Sequence, residues 1–173
     1  EENDLNVWLI KPSADVRDGA QILRSRIGLE AVVEVISPEA DVYTLYQQTQ
    51  QERCHVIIAD ECQFLTELQI DQLSDVVDFL DINVMCYGLR TDFQSRLFPA
   101  SKRLFELADD IEEIKSTCAC GDRKTSINAR FDADGNIITE GDQVVIGGND
   151  MYKALCRKCW KNKIRDKKLA EQQ

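Results

Sequence analysis

The chain is poor in two things: it has a single histidine, His55, and it sets only 21 Lys and Arg against 31 Asp and Glu, a formal net charge of −10 over 173 residues. His55 follows Cys54 at the start of an apolar run, where successive side chains face opposite ways, so the two do not form a Cys–His catalytic couple. Whatever chemistry the protein performs therefore falls to carboxylates. The cation deficit disfavours non-specific attraction to a nucleic-acid backbone or an anionic membrane. An anionic ligand has to be met by local cations, backbone amides or a metal ion. No apolar stretch approaches the roughly 20 residues of a membrane span, and the beginning lacks the basic-then-apolar order of a signal peptide. The expectation is a soluble cytoplasmic protein with neither nucleic-acid nor membrane partners. Thiols in that compartment are kept reduced, so the seven cysteines do not predict disulfides.

What is present is enough apolar residue, 43%, to build a core. Residues 5–11 (LNVWLIK), 31–36 (AVVEVI), 55–59 (HVIIA) and 83–89 (NVMCYGL) read as short strands. Helical patterns lie between them: Pro38 to Gln51 with Ser37 as the expected cap, and Thr66 to Leu80 with Thr66 as cap and Gln69 three positions on. Strands alternating with helices predict an α/β fold, a mostly parallel sheet covered on both faces, whose ligands gather at the carboxyl ends of the strands. A short helix beginning near Ser101 follows, and after it the alternation stops. Asp-Gly at 134–135 predicts a hairpin joining 126–131 to 136–139, with another short strand at 144–146. DADGN lacks the remaining acidic positions of a calcium loop. The expected organisation is an α/β domain over 1–116, a small β-rich subdomain over 117–160 and a charged, solvated tail over 161–173. EENDLNVWLIKP begins without Met and enters an apolar run at once, which reads as a start inside a domain.

Cys54, Cys62 and Cys86 are scattered in or beside apolar runs and read as small buried hydrophobes. Cys118, Cys120, Cys156 and Cys159 form two close pairs flanking the expected hairpin. Four soft thiolates suit a closed tetrahedral structural zinc site, which organises a segment too small to hold a core of its own. Four protein ligands leave no open position for water, which excludes a catalytic zinc. The second pair has the usual two-residue gap, whereas C-x-C is narrower and requires a different knuckle.

The run VIIADECQF, residues 56–64, ends a hydrophobic strand on two adjacent carboxylates. At the carboxyl edge of a parallel sheet, Asp60 is placed to hold a metal near phosphates and Glu61 to accept a proton from a hydroxyl. The dipeptide alone is equally consistent with capping or pairing near the next helix.

Three further blocks decide between these readings. LIKPSADVRDG (9–19), YGLRTDFQSRLFPAS (87–101) and VVIGGNDMYKALCRKC (144–159) surround IIADECQF in order and at characteristic spacing. Together they resemble the tetrameric, zinc-containing thymidine kinase family, and RDG, SRIGLE and C-x-C resemble its bacterial branch. The resemblance runs from about Leu5 to about Trp160. It implies a P-loop-type fold with a zinc-bound lasso, and an ATP-dependent transfer of phosphate to the 5′-hydroxyl of thymidine. It implies that Glu61 is the general base, that Asp60 lies near Mg²⁺, and that Cys62 and Gln63 complete a tetrad bordering the phosphate donor. Asp15 and Arg17 match the D-x-R element beside the phosphates. Leu89, Phe93 and Phe98 match the walls around thymine, although taken alone the two phenylalanines read as core. Val145, Ile146, Gly147 and Gly148 match the lasso that closes over the base, Tyr152 its aromatic partner, and the four paired cysteines the zinc ligands. A homotetramer and feedback inhibition by thymidine triphosphate (dTTP) follow as family expectations.

One departure is plain: no G-x-x-x-x-G-K-[ST] loop is present. In the family it precedes the element that LNVWLIK resembles, so it is expected, with its strand, upstream of Glu1. Two other functions stay open at this point, a zinc-ribbon binding module on an α/β scaffold and a P-loop ATPase that activates water.

Overall fold

A computed structural model describes residues 6–14, 21–24, 27–49, 53–144 and 151–172. The chain divides into two compact units, one formed by residues up to Arg90 with Phe98–Asp109, the other by Thr91–Leu97 with Asp110–Gln173.

The first unit is α/β, as the alternation predicts. Strands β1 (Val7–Pro12), β4 (Glu34–Ile36), β5 (Val56–Ala59) and β6 (Asn83–Cys86) form a parallel sheet in the order β4-β1-β5-β6. Trp8 pairs with Ile57 and Ile58 with Met85, so β1 and β5 are central. Among the described residues β4 and β6 are the edges. Because the strands run the same way, Pro12, Ile36, Ala59 and Cys86 all finish at one edge.

Two elements differ from the sequence reading. The run 31–36 is two strands: β3 (Glu30–Val32) turns back on β2 (Ile22–Arg24) as an antiparallel hairpin, and only β4 enters the main sheet. The buried Val33 separates them, its N–H bonded to the Gln21 carbonyl at 3.1 Å. A single apolar run serves two sheets, which periodicity cannot reveal. Helix α1 covers Val42–Thr49 rather than beginning at Pro38. Its cap is Asp41, whose Oδ1 accepts from Thr44 N–H at 2.7 Å, in place of Ser37.

Helix α2 (Glu67–Leu80) carries the predicted capping box, with Thr66 and Gln69 exchanging side-chain and backbone bonds. Gln69 does more than cap. It is 2% exposed, and its Nε2 donates to the Ser37 and Ala40 carbonyls at 2.7 and 3.1 Å. This one amide joins the start of α2 to the turn leaving β4. Beneath it Ile10, Ile36, Val42, Ile57, Ile70, Leu73 and Val76 form the core, closed at one side by Trp8 against Tyr46, ring centroids 5.5 Å apart. Cys54 is buried and the exposed His55 accepts the Asn6 N–H at Nδ1, 2.9 Å, a backbone-tethering role. A 3₁₀ turn (Cys62–Phe64) follows β5, and α3 (Pro99–Leu107) begins at a proline, as the fixed φ of that residue favours.

The second unit is smaller. β7 (Ile127–Arg130) pairs antiparallel with β8 (Tyr152–Leu155) rather than with 136–139. The expected hairpin survives as the single bridge between Phe131 and Ile137 around the Asp132–Gly135 turn. The Asn136 amide and side chain hold the Asp132 carboxyl below its ordinary value. No strand is assigned at Val144, and 145–146 lie outside the described residues. Helix α4 (Arg157–Ala170) contains no buried residue and is one helix continuous through residue 160. Its half-buried Trp160 and Ile164 pack against Phe131, Ile137 and Leu155. Among the described residues no helix is long and apolar enough to cross a membrane.

The Gln69 tie makes a stability prediction. Gln69→Leu leaves the Ser37 and Ala40 carbonyls and the Thr66 N–H without their amide partner, and is expected to lower unfolding stability by about 2 kcal/mol. Urea midpoints at unchanged slope measure it, and a loss below about 0.5 kcal/mol contradicts the role.

Candidate active site and metal centre

The carboxyl edge of the sheet is built by main-chain bonds that step from strand to strand. Ser13 N–H bonds the Ile36 carbonyl at 2.8 Å, Asp60 N–H the Ile10 carbonyl at 3.0 Å, and Tyr87 N–H the Ala59 carbonyl at 2.8 Å. The parallel ladder thus continues one residue beyond the strands. Asp60 and Glu61 emerge there half-buried, on a support that the fully buried Ile57 and Ala59 hold rigid.

Glu61 is in the left-handed region, φ 49° and ψ 35°, which costs a non-glycine residue of order 1–3 kcal/mol. The conformation has a local use. It swings the chain out of β5 so that Cys62 N–H reaches the Tyr87 carbonyl at 2.9 Å and Phe64 N–H closes on Glu61's own carbonyl at 3.0 Å. The Glu61 carboxylate accepts from Gln63 Nε2 at 2.6 Å. Gln63, 2% exposed, accepts in turn from Leu89 N–H at 2.9 Å through Oε1. Gly88 lies under this bridge: a Cβ there would stand 2.4 Å from Gln63 Oε1 and 2.7 Å from Cys62 Sγ. The buried Cys62 thiol is pushed up strongly by its contact with the Cys86 thiol and by burial, so it stays protonated. The Cys62 thiol is therefore not a nucleophile.

Of the expected thymine walls, Leu89 is 39% exposed, its carbonyl accepting from Ser101 Oγ at 2.7 Å. Phe98 is buried, edge-on to Phe64 with centroids 5.8 Å apart, and precedes the first turn of α3. Phe93 belongs to the second unit; it is buried with the Arg130 guanidinium 3.8 Å above its ring. Tyr152 is half-buried in β8 opposite Arg130. Asp15, Arg17, Val145, Ile146, Gly147 and Gly148 lie outside the described residues.

Several residues here escaped sequence reasoning. Lys11 is fully buried in β1 and donates Nζ to the Ile22 carbonyl at 3.1 Å; a lysine within an apolar strand was the available signal. In the second unit Asp92 accepts from Gln94 and Arg96 N–H, both at 2.9 Å, and from Gln143 Nε2 at 3.0 Å. Arg130 donates to the Asp142 carbonyl at 3.0 Å. Asp92 and Arg130 therefore both hold the segment 142–143, directly before 145–148. The Asx-turn pattern in TDFQS pointed to the first; nothing local marked the second.

The four paired cysteines converge as the spacing predicts. Their Sγ atoms all lie within 4.8 Å of one another, and Cys120 Sγ is 3.9 Å from Cys156 Sγ. Tetrahedral zinc with Zn–S bonds near 2.3 Å requires sulfurs about 3.8 Å apart, so the set fits a structural zinc. The narrow C-x-C knuckle closes through Gly121, φ 78°, whose N–H bonds the Cys118 carbonyl at 2.9 Å. The wider pair caps α4, Cys156 Sγ accepting from Cys159 N–H at 3.5 Å. Backbone donors of Cys120 and Cys156 pull the Cys118 thiol down to about 6. Cys159 is pushed up to about 12 by the Cys156 and Cys120 thiols. Four thiolates at this separation repel one another, and a divalent cation relieves the repulsion.

Known proteins agree with this geometry. Residues 1–160 match the family model described as thymidine kinase. The chain is 44% identical over 165 residues to the thymidine kinase of Pasteurella multocida, covering 95% of this chain and 85% of that protein. The thymidine kinase of Vibrio cholerae gives the same identity and coverage, and that of Rhizobium etli is 42% identical over 173 residues, 99% of this chain and 86% of the relative. With the family model spanning all but the last residues and relatives above 40% identity along nearly the whole chain, the protein belongs to the thymidine kinase family.

Proposed function

We propose that the protein transfers the γ-phosphate of ATP to the 5′-hydroxyl of thymidine, giving thymidine monophosphate and ADP, with Glu61 as general base. The observation that carries the assignment is the placement of Glu61: a half-buried carboxylate at the carboxyl edge of the parallel sheet, turned out of β5 by a left-handed backbone and held by Gln63. Glu61 takes the proton of the 5′-hydroxyl as that oxygen bonds the γ-phosphorus. The bond from that phosphorus to the β,γ-bridging oxygen breaks, and ADP leaves with its electron pair.

Asp60, a hard oxygen ligand beside the base, would hold Mg²⁺, which when bound neutralises charge on the phosphates. Asp15 and Arg17 fall to the phosphate side, and the DECQ tetrad, Cys62 and Gln63 included, borders the donor. Leu89, Phe93 and Phe98 supply apolar surroundings for thymine. Val145, Ile146, Gly147 and Gly148 read the base through main-chain groups, with Tyr152 beside them. Cys118, Cys120, Cys156 and Cys159 hold a structural zinc that ties the end of this segment to α4. The same reading extends to a cytoplasmic homotetramer acting in nucleoside salvage for DNA synthesis and inhibited by dTTP. A zinc-ribbon module or an ATPase without a nucleoside acceptor has no need of a base beside a nucleoside clamp.

Glu61→Gln keeps the shape and removes the base. In the full-length enzyme kcat is expected to fall roughly 10²–10⁴-fold while ATP binding and thermal stability stay near wild type. Turnover within a few-fold of wild type removes Glu61 from this role.

Zinc uptake by the metal-free protein at pH 7 should release protons. Cys159, pushed up to about 12, is protonated there and must lose its proton to bind metal, whereas Cys118, pulled to about 6, is already largely thiolate. An indicator dye in weak buffer measures the release, and pH-neutral uptake contradicts the ligand set. Below pH about 6 the metal-free protein has Cys118 protonated as well, so zinc uptake there should release more protons than at pH 7. Cys156→Ser should weaken thymidine binding more than ATP binding, measured by calorimetry; an equal loss of both detaches the metal from the nucleoside clamp.

A further inference from the structure

Gln63 borders the phosphate donor in the proposed reaction, yet both ends of its amide are committed to other protein groups. Nε2 donates to Glu61 Oε2 at 2.6 Å, and Oε1 accepts from Leu89 N–H at 2.9 Å. Gln63 is 2% exposed, so its amide is shielded from solvent although Glu61 and Leu89 are partly exposed. We infer that Gln63 is a positioning residue for phosphoryl transfer: it fixes the rotamer of the Glu61 carboxylate and couples it to the main chain at Leu89. The inference rests on Glu61 being the base.

The surrounding geometry leaves the amide little freedom. Gln63 lies in the 3₁₀ turn that the left-handed Glu61 initiates, so backbone and side chain tie residues 61 and 63 together. Cys62 between them is buried and bonds the Tyr87 carbonyl through its N–H. Across from it, a side chain at Gly88 would collide with Gln63 Oε1, so the amide depends on the glycine for its room. Leu89 is in turn held from α3 by Ser101. The result is a continuous relay from α3 through Leu89 and Gln63 to the Glu61 carboxylate. A base that must meet a hydroxyl within hydrogen-bond reach gains from such restraint, because a misplacement of about 1 Å can cost on the order of 10²-fold in rate. Asparagine is too short to span both partners, and a buried glutamate would repel Glu61 or share a proton with it instead of reproducing the amide bond.

A double-mutant cycle in the full-length kinase separates positioning from bulk structure. Gln63→Met preserves volume and removes both bonds. It is expected to lower kcat roughly 10- to 100-fold, with KM for ATP changed less than about 3-fold. In the Glu61→Gln background the same substitution should change the residual kcat less than about 2-fold, because a residue acting through Glu61 has nothing left to position. Gln63→Asn, which keeps the amide but is too short to span both partners, should lose kcat as Gln63→Met does while unfolding within a few degrees of wild type. It guards against a variant that merely misfolds. Equal losses from Gln63→Met in both backgrounds, or wild-type kcat in Gln63→Asn, overturn the inference and leave the base assignment standing. Near-normal turnover in Glu61→Gln alone overturns the base assignment, and the positioning role with it.

Discussion

The α/β unit depends on β5 lying between β1 and β6 in one parallel ladder. That pairing buries Ile57 and Ala59 completely and extends through Asp60 to Ile10 and through Tyr87 to Ala59. Carboxylates at a core edge are costly to desolvate, and the ladder makes the location tolerable by ending where they begin. Apolar residues do the holding and Asp60 and Glu61 only emerge from it. Both charged groups are consequently fixed by backbone bonds made elsewhere, before any ligand arrives.

The small unit solves a different problem. Its apolar cluster, chiefly Ala129, Phe131, Ile137 and Leu155, is too small to order the long segment between β7 and β8. Cross-links replace core there. Asp92 gathers three donors from the 94–96 turn and from Gln143, Arg130 covers Phe93 and reaches the Asp142 carbonyl, and the four thiols tie the 118–120 knuckle to the start of α4. Residues 142–143 are therefore tethered by a carboxylate and a guanidinium, and β8 pairs with β7 and leads into the cysteine pair at the start of α4.

How much of this was legible follows from whether a feature is local. The Thr66–Gln69 capping box and the C-x-C and C-x-x-C knuckles are written within a few residues, and both are present, whereas α3 starts at Pro99, two residues before the expected Ser101. Asp60 and Glu61 at the end of a strand were equally readable. The division of 31–36 between two sheets was not, because Val33 looks like any strand residue until Gln21 bonds it. The shift of the α1 cap from Ser37 to Asp41 has a similar cause: the Ser37 carbonyl is taken by a glutamine 32 positions away. Periodicity also paired 126–131 with the nearest extended run, whereas β7 takes β8, whose place beside it fits the convergence of the cysteine pairs. Gln63 shows the limit most clearly. Its type and position suggested a polar group near phosphates, and only the geometry shows both ends of its amide already occupied.

The left-handed Glu61 joins these threads. Two adjacent carboxylates on an extended strand would point to opposite faces of the sheet, one into each covering layer, where neither could share a substrate. Turning the chain at residue 61 avoids that outcome, since Asp60 still bonds backward to β1 while Cys62 bonds sideways to the chain leaving β6. Glycine would adopt the same φ with less strain, yet it would carry no carboxylate. Strain at this one residue is therefore the consequence of asking a tight turn to present an acid, and Gln63 is placed two residues on, where the turn itself brings its amide back to that acid.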